Sequence, residues 1–101
     1  MNPHEELISM ADLRARFARN QGYQSLLAVY VGDHLDRRLG YTARQANEAA
    51  GLDHRSARQN KFSNWGLIAR VPGTRPAVHR LTERGLALWV NEPKEWGENE
   101  R

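Results

Sequence analysis

Two successive stretches of the chain repeat their hydrophobic residues at the three- and four-residue spacing of an amphipathic helix. The first covers residues 4–19 and the second residues 24–39. Asn20-Gln21-Gly22 separates them and Gly40 follows the second, as breaking and capping residues do. The apolar stripes consist of Leu7, Met10, Leu13 and Phe17 in the first helix, and Leu26, Leu27, Tyr30, Val31 and Leu35 in the second. The wide second stripe predicts a helix buried at the centre of the fold.

The residues after Gly40 predict two short helices separated by a sharp turn. Thr42 is a good N-cap for a helix over 43–50. Gly51 can adopt the left-handed conformation that a sharp turn requires. Asp53 is the next N-cap and predicts a second helix over 54–64. Two helices joined by so short a connection are typical of a helix-turn-helix.

A hairpin and a last helix complete the pattern. Residues 67–71 and 77–81 read as two strands, and Pro72-Gly73 between them suits the centre of a type II turn. Thr82 then begins a helix whose expected apolar face is Leu86, Trp89 and Val90. The predicted fold class is α+β, mostly α.

The segment WGLIAR, the hairpin and then LTERGLALW resemble the closing elements of MarR-like winged-helix regulators. In that family a strand after a Gly-Leu-Ile turn leads through the wing to Leu-Thr-x-x-Gly. The resemblance covers residues 41–88 and implies a winged helix-turn-helix with a two-stranded wing hairpin, its tip at 72–76, and an extra N-terminal helix. Lys61 stands where such domains usually carry an aliphatic residue, so either the helix is short or Phe62 and Trp65 supply that packing.

Three segments are expected: an N-terminal helix over 1–22, a winged-helix domain over 23–91, and a flexible acidic tail over 92–101. The first helix either packs into the core or forms a dimerisation arm, and Trp96 either pins the tail to the domain or contacts a partner. The candidate dimerisation residues are Leu7, Met10, Leu13, Phe17, Leu86 and Trp89.

Charge is concentrated in one part of the chain. The net charge is +3, but residues 54–84 carry seven basic residues against the single acid Glu83. A basic segment on a nearly neutral remainder is a common footprint of nucleic-acid binding, with a solvated arginine-rich surface as the plain alternative.

The residue types in this segment suit DNA contacts. On the outward side of helix 54–64, arginine, glutamine and asparagine side chains can read base edges in the major groove. The wing can meet the backbone or enter a minor groove. The candidate base contacts are Arg55, Arg58, Gln59 and Asn60, with Ser56 beside them; the candidate phosphate contacts are Thr42, Arg44 and Lys61; the wing contact is Arg75.

The sequence gives little support for a catalytic site, a metal site or a membrane-spanning segment. The chain has no cysteine, its four histidines lack metal-ligand spacing, and it has no phosphate-binding glycine loop. Asp33, His34 and Asp36 are interpreted as a polar helix face rather than a metal or acid–base site. The N-terminus lacks the basic and apolar regions of a signal peptide, and no apolar run is long enough to span a bilayer. The sequence predicts a cytoplasmic protein with no enzymatic activity, metal or cofactor.

The function predicted from the sequence is sequence-specific binding of double-stranded DNA by a small transcriptional regulator. A homodimer is expected, because one such helix reads only a few base pairs. The alternative is a winged-helix module for protein–protein interaction without DNA binding, for example a phage or mobile-element accessory protein. Such a module has no need for so much positive charge in one helix and hairpin.

Overall fold

The computed structural model describes residues 8–90, which form five helices and one three-stranded antiparallel sheet. The helices are α1 (Met10–Ala18), α2 (Gln21–Asp36), α3 (Ala43–Ala49), α4 (Arg58–Asn64) and α5 (Glu83–Val90), and the strands are β1 (Tyr41–Thr42), β2 (Ile68–Arg70) and β3 (Val78–Leu81). The fold is thus α+β and mostly α, as predicted. Leu7, Trp96 and the predicted tail over 92–101 lie outside the described residues.

Helix α1 packs into the same core as the rest of the described chain. Leu13 and Phe17 are fully buried. The Phe17 ring lies 5.3 Å from the ring of Tyr23 and 5.4 Å from that of Phe62, centroid to centroid. Leu13 and Phe17 are therefore core residues and cannot line a dimer surface, because their side chains expose no area. The core-packing alternative for this helix is the one that the structure shows.

Helix α2 crosses the core but ends earlier than its apolar pattern predicts. Leu26, Leu27, Tyr30 and Val31 are buried, whereas Leu35 is 70% exposed. The buried side chain at the end of the helix is instead Asp33, whose carboxylate accepts the Gly40 N–H at 3.0 and 3.1 Å and the Arg37 Nε–H at 3.1 Å. The interpretation of Asp33 as part of a polar surface is wrong, because its carboxylate anchors the chain that leaves the helix.

The sheet contains one strand that the sequence pattern does not reveal. β2 and β3 form the predicted hairpin, with Ile68 opposite Leu81. The two-residue strand β1 pairs with the other edge of β3, which gives the strand order β1-β3-β2. At the hairpin tip, Thr74 Oγ1 donates to the Val71 carbonyl at 2.9 Å and accepts from the Val78 N–H at 3.0 Å.

The segments Trp65-Gly66-Leu67 and Leu81-Thr82-Glu83-Arg84-Gly85 hold each other together. The Thr82 hydroxyl donates to the Gly66 carbonyl at 2.6 Å and accepts from the Gly85 N–H at 3.0 Å. The Thr82 N–H donates to the Leu67 carbonyl at 2.9 Å. A Cβ atom at residue 85 would lie only 2.4 Å from that Leu67 oxygen, so the close approach requires glycine. These contacts fix the start of α5 against the end of α4.

Helix α5 packs against the core with Leu86 and Trp89, as predicted, and with Leu88, but not with Val90. Leu88 is fully buried, Leu86 and Trp89 are half-buried, and Val90 is 67% exposed. Val90 therefore does not belong to the apolar face. No helix within residues 8–90 is both long and apolar enough to cross a membrane.

Candidate nucleic-acid interface

Helix α3 begins with the cap that the sequence predicts. Thr42 Oγ1 accepts the Gln45 N–H at 3.1 Å, and Gln45 Oε1 accepts the Thr42 N–H at 3.0 Å, which completes a capping box. On the same helix Arg44 is exposed and pairs with Glu48 at 3.2 Å. Of the candidate phosphate contacts, Thr42 therefore caps this helix, and Arg44 forms an exposed ion pair on it.

The helix predicted over 54–64 begins only at Arg58. Gly51 has the expected positive φ of +75°, but Asp53 does not cap the helix. Its Oδ1 accepts the Arg55 N–H at 2.8 Å, and this backbone hydrogen bond is the main reason that the pKa of Asp53 is lowered from 3.8. The Asp53 side chain therefore closes a local turn, and Arg55 lies in the connection between α3 and α4 rather than on the helix.

A buried pair of amide side chains joins the two helices. Gln59 is 5% exposed, and its Nε2 donates to Asn47 Oδ1 at 2.8 Å and to the Ala43 carbonyl at 3.3 Å. Asn47 in turn donates to the Ser56 carbonyl at 3.1 Å and to the His54 carbonyl at 3.3 Å. Gln59 is therefore not a base contact, since its amide holds α4 and the connection against α3.

The phenol of Tyr30 reaches this amide pair from α2. Burial raises the pKa of Tyr30 to about 12; the Gln59 side chain acts against this rise, and the Asp33 carboxylate adds to it. Among the described groups, neither the Tyr30 hydroxyl nor Gln59 Oε1 meets full hydrogen-bond geometry. The Tyr30 hydroxyl is thus buried without a hydrogen bond of good geometry.

Arg58 also departs from its expected outward position. Its Nη1 donates to Ser56 Oγ at 2.7 Å. Its guanidinium lies against the start of α2, where a Cβ atom on Gly22 would come within 2.9 Å of Nε. Arg58 and Ser56 therefore bind each other beside α2, and the predicted outward stripe of Arg55, Arg58 and Gln59 does not form.

The outward face of α4 consists of four polar residues. Phe62 is fully buried beside Gln59, and Trp65 is half-buried, so these two aromatic residues supply the predicted packing. The exposed residues of the helix are Asn60, Lys61, Ser63 and Asn64. Asn60 and Lys61 were predicted as contacts, but Ser63 and Asn64 were missed. Their spacing in the sequence could have identified them. Ser63 and Asn64 follow Asn60 by three and four residues, so they share its face of the helix when Phe62 points inward.

The β2–β3 hairpin carries three further exposed arginines, Arg70, Arg75 and Arg80. Arg75 lies at the tip, as predicted. Arg70 donates to the Thr74 carbonyl at 3.1 Å and lies opposite His79 in the sheet. Burial, and secondarily the charge of Arg70, lower the pKa of His79 from 6.5. The histidine is therefore mainly neutral at pH 7, and the positive charge of the hairpin comes from its arginines.

The described part of the chain is more basic than the whole. Residues 8–90 contain thirteen arginines and lysines and six aspartates and glutamates, a net charge of +7 against +3 for the full sequence. No acidic residue occurs between Asp53 and Glu83. The α4 face and the hairpin therefore carry positive charge with no carboxylate of their own, which favours a polyanion as the partner.

Nothing in residues 8–90 points to a metal centre. No group of three histidine or carboxylate side chains there could hold an ion. A shallow cavity of about 250 Å³ lies at the end of α2, and it is lined by Asp33, His34, Arg38, Arg80, Leu81 and Glu83. The Asp33 carboxylate in this cavity is already bound by the Gly40 N–H and Arg37.

No protein-family model matches the chain, and neither a curated protein nor a solved structure matches it. The residues of the chain and their geometry carry the functional inference.

Proposed function

We propose that this protein is a small transcriptional regulator that binds double-stranded DNA sequence-specifically, with the outward face of α4 in the major groove. The observation that carries the proposal is the composition of that face. It presents two amides, a hydroxyl and an ammonium group, with no acid between Asp53 and Glu83. Such groups donate to phosphates and pair with base edges.

The arrangement of the elements supports a winged helix-turn-helix. α3 and α4 are followed by the β2–β3 hairpin, and β1 completes a three-stranded sheet beside them. The connection over residues 50–57 is longer than the three- or four-residue turn of a minimal helix-turn-helix. Asn47 compensates for this length, because its amide binds two carbonyls of the connection and Gln59 of α4.

Each exposed group of α4 has an expected contact in such a complex. A helix with its side chains is about 10–12 Å in diameter, so the seven-residue α4 fits a major groove about 12 Å wide. Asn60, Ser63 and Asn64 would face the bases, and Lys61 at the side of this face would meet a phosphate. Arg75 would contact the backbone or a minor groove from the hairpin.

Fluorescence anisotropy of a labelled random-sequence duplex, at about 50 and 200 mM salt, tests the proposal. The unmodified protein should bind, and binding should weaken steeply with salt. The triple variant Asn60→Ala, Lys61→Ala, Asn64→Ala should lose most of this affinity. A matched control is Arg38→Asn, which also lowers the net charge by one but lies beyond the end of α2, at a positive φ that asparagine tolerates; it should keep the affinity. Absence of binding at micromolar protein and low salt would overturn the proposal.

A homodimer remains part of the proposal, because one seven-residue helix reads too few base pairs for a specific site. With Leu13 and Phe17 in the core, the surface left for it is the half-buried set Met10, Leu86 and Trp89. Light scattering on the order of tens of micromolar protein tests this part. A monomer at that concentration, with and without a selected DNA site, would rule the dimer out.

One observation favours the alternative, a winged-helix module that binds protein. Leu35 and Leu39 are 70% and 62% exposed at the end of α2. Serine at both positions should leave DNA binding unchanged under the leading proposal. If the unmodified protein binds no duplex, these two leucines become the first positions to test for a protein contact.

A further inference from the structure

The fold brings basic residues of α1, outside the basic segment of the sequence, next to α4. The guanidinium carbon of Arg16 lies 5.7 Å from the centre of the Trp65 ring, at the end of α4. The Trp65 ring also lies 5.6 Å from that of Tyr23, one residue after the Gly22 against which Arg58 packs. The α1–α2 junction and one side of α4 therefore form one continuous surface.

Four cationic side chains share this surface, and we call them the junction cluster. Arg19, the C-cap residue at the end of α1, follows Arg16 by three residues. On α4, Lys61 lies three residues after Arg58 and four before Trp65, so these residues also share a side. The junction cluster consists of Arg16, Arg19, Arg58 and Lys61.

The negative charges near the cluster are few. Asp12, four residues before Arg16, is the one carboxylate of α1. Asp53 lies near Ser56 in the connection but is already engaged by the backbone and side chain of Arg55. Within residues 8–90, Arg16, Arg19 and Lys61 form no ion pair with a carboxylate. The cluster therefore keeps a net positive charge.

We propose that the junction cluster binds the phosphodiester backbone of the DNA that flanks the groove occupied by α4. This inference rests on the proposed function and extends its contact surface to α1. Lys61 connects the two surfaces, because it lies between the exposed Asn60 and Asn64 on one side and Arg58 and Trp65 on the other. The cluster thus meets the DNA beside the base-reading face rather than at a separate place.

Side-chain contacts place α1 beside α4. The Phe17 ring of α1 lies 5.4 Å from that of Phe62 and 6.3 Å from that of Trp65, centroid to centroid. With α4 in the groove, α1 would therefore lie towards a strand that borders it. Arginine suits this position, since its planar fork binds phosphate oxygens in pairs. The contact with the Trp65 ring holds the Arg16 guanidinium at the surface before DNA arrives.

The test measures the slope of log affinity against log salt concentration for the variant Arg16→Ala, Arg19→Ala. Each lost phosphate contact should reduce the steepness of the slope by about 0.9, so the double variant should lose about 1.8. Its ranking of different DNA sequences should stay unchanged, because phosphates carry no sequence information. The variant Arg16→Lys, Arg19→Lys should recover most of the slope, because it keeps both charges.

A matched control lowers the charge by two at the other end of α2, about 24 Å away for a sixteen-residue helix. The control variant is Arg38→Asp; aspartate is chosen because Arg38 has a φ of +60°, which aspartate tolerates. The test and control variants both lower the net charge by two. The control should keep the slope of the unmodified protein.

The outcomes separate this inference from the proposed function. If the unmodified protein binds no duplex, the proposed function fails and the inference fails with it. If it binds and Arg16→Ala, Arg19→Ala keeps both affinity and slope, only the junction cluster is wrong. If the test and control variants lose the same amount of slope, the protein attracts DNA by its net charge alone. That result would also overturn the junction cluster as a binding site. Urea unfolding of each variant establishes that its fold is intact.

Discussion

Gln59 Nε2 lies 2.8 Å from Asn47 Oδ1, and both side chains are buried where α4 meets α3. Hydrogen bonds are directional, so this pair fixes the rotation of α4 about its own axis more closely than apolar contact would. The exposed residues of α4 depend on that rotation. If α4 were rotated about its axis by the angle between successive residues, Asn60 and Asn64 would no longer lie on the outward face. The buried amides therefore determine which side chains of α4 reach the surface.

Replacing Gln59 with alanine should lower the free energy of unfolding by about 1–3 kcal/mol, because Asn47 Oδ1 loses its buried donor. Asn60→Ala on the exposed side of the same helix should change it by less than about 0.5 kcal/mol. Urea denaturation of both variants measures the difference. DNA affinity should respond in both cases, through the fold for Gln59 and directly for Asn60. Equal stability of the two variants would contradict the buried role of Gln59.

The sequence could not reveal this division of roles, because Gln59 and Asn60 are similar polar residues in an arginine-rich segment. The deciding fact is where the helix starts. Asp53 has the chemistry of an N-cap, but its carboxylate binds the backbone two residues later and closes a turn instead. This shift of the start places Arg55 in the connection. Which neighbour a short polar side chain binds depends on tertiary context.

A glycine pair in two helices provides a second test. Gly85→Ala should destabilise the fold by about 1–3 kcal/mol, because the new Cβ would meet the Leu67 carbonyl oxygen at 2.4 Å. Gly32→Ala in α2 meets no atom within 4 Å and should stabilise the helix by up to about 1 kcal/mol. Thermal unfolding should show opposite shifts of Tm. Shifts in the same direction would show that Gly85 does not depend on close approach.

Predictions from the sequence were correct where a feature depends only on a few neighbouring residues. The N-cap at Thr42, the positive φ at Gly51 and the hairpin over β2 and β3 all follow their predictions. Strand β1 was missed, since two residues are too few for an alternating pattern, and it forms only because β3 offers a free edge. Asp33 was misread for a related reason: its partner, the Gly40 N–H, is brought to it only when the chain folds back.

The buried phenol of Tyr30 predicts a pH dependence of stability. Its pKa is raised from 10.0 to about 12, so the folded state holds the proton more tightly than the unfolded state. The resulting stability is fully present below pH 10 and is lost as the pH rises from 10 towards 12, by at most about 3 kcal/mol. The Tyr30→Phe variant should lack this loss. Near pH 7 it should lie within about 1 kcal/mol of the unmodified protein, because the hydroxyl has no optimal partner.

Urea midpoints at neutral pH and near pH 11 measure this difference. Tyr23→Phe, which removes the hydroxyl of a half-buried tyrosine, is the matched control for loss of a phenol. The advantage of Tyr30→Phe over the unmodified protein should grow with pH. A constant difference at both pH values would show that the folded and unfolded states bind the Tyr30 proton equally.

The two outward amides of α4 predict the base preference of the DNA site. Asparagine pairs with adenine in the major groove by accepting from N6 and donating to N7. Asn60 and Asn64 are four residues apart, about 6 Å along the helix, which spans about two base steps. Sites selected from random DNA by the unmodified protein should therefore contain adenines at two nearby positions. Asn64→Ala should relax the preference at one of them, with a loss of about 1–3 kcal/mol against the preferred base.

Replacing adenine by 7-deazaadenine at those positions removes the N7 acceptor and leaves base pairing intact. For the unmodified protein, this change should weaken binding at the position that Asn64 reads, but by less than Asn64→Ala does, because it removes one of the two hydrogen bonds. For the Asn64→Ala variant, it should have no further effect there, because the bond is already lost. Additive losses from the two changes would mean that Asn64 does not read that adenine. Selection of sites without an adenine preference would refute the amide readout while leaving duplex binding itself in place.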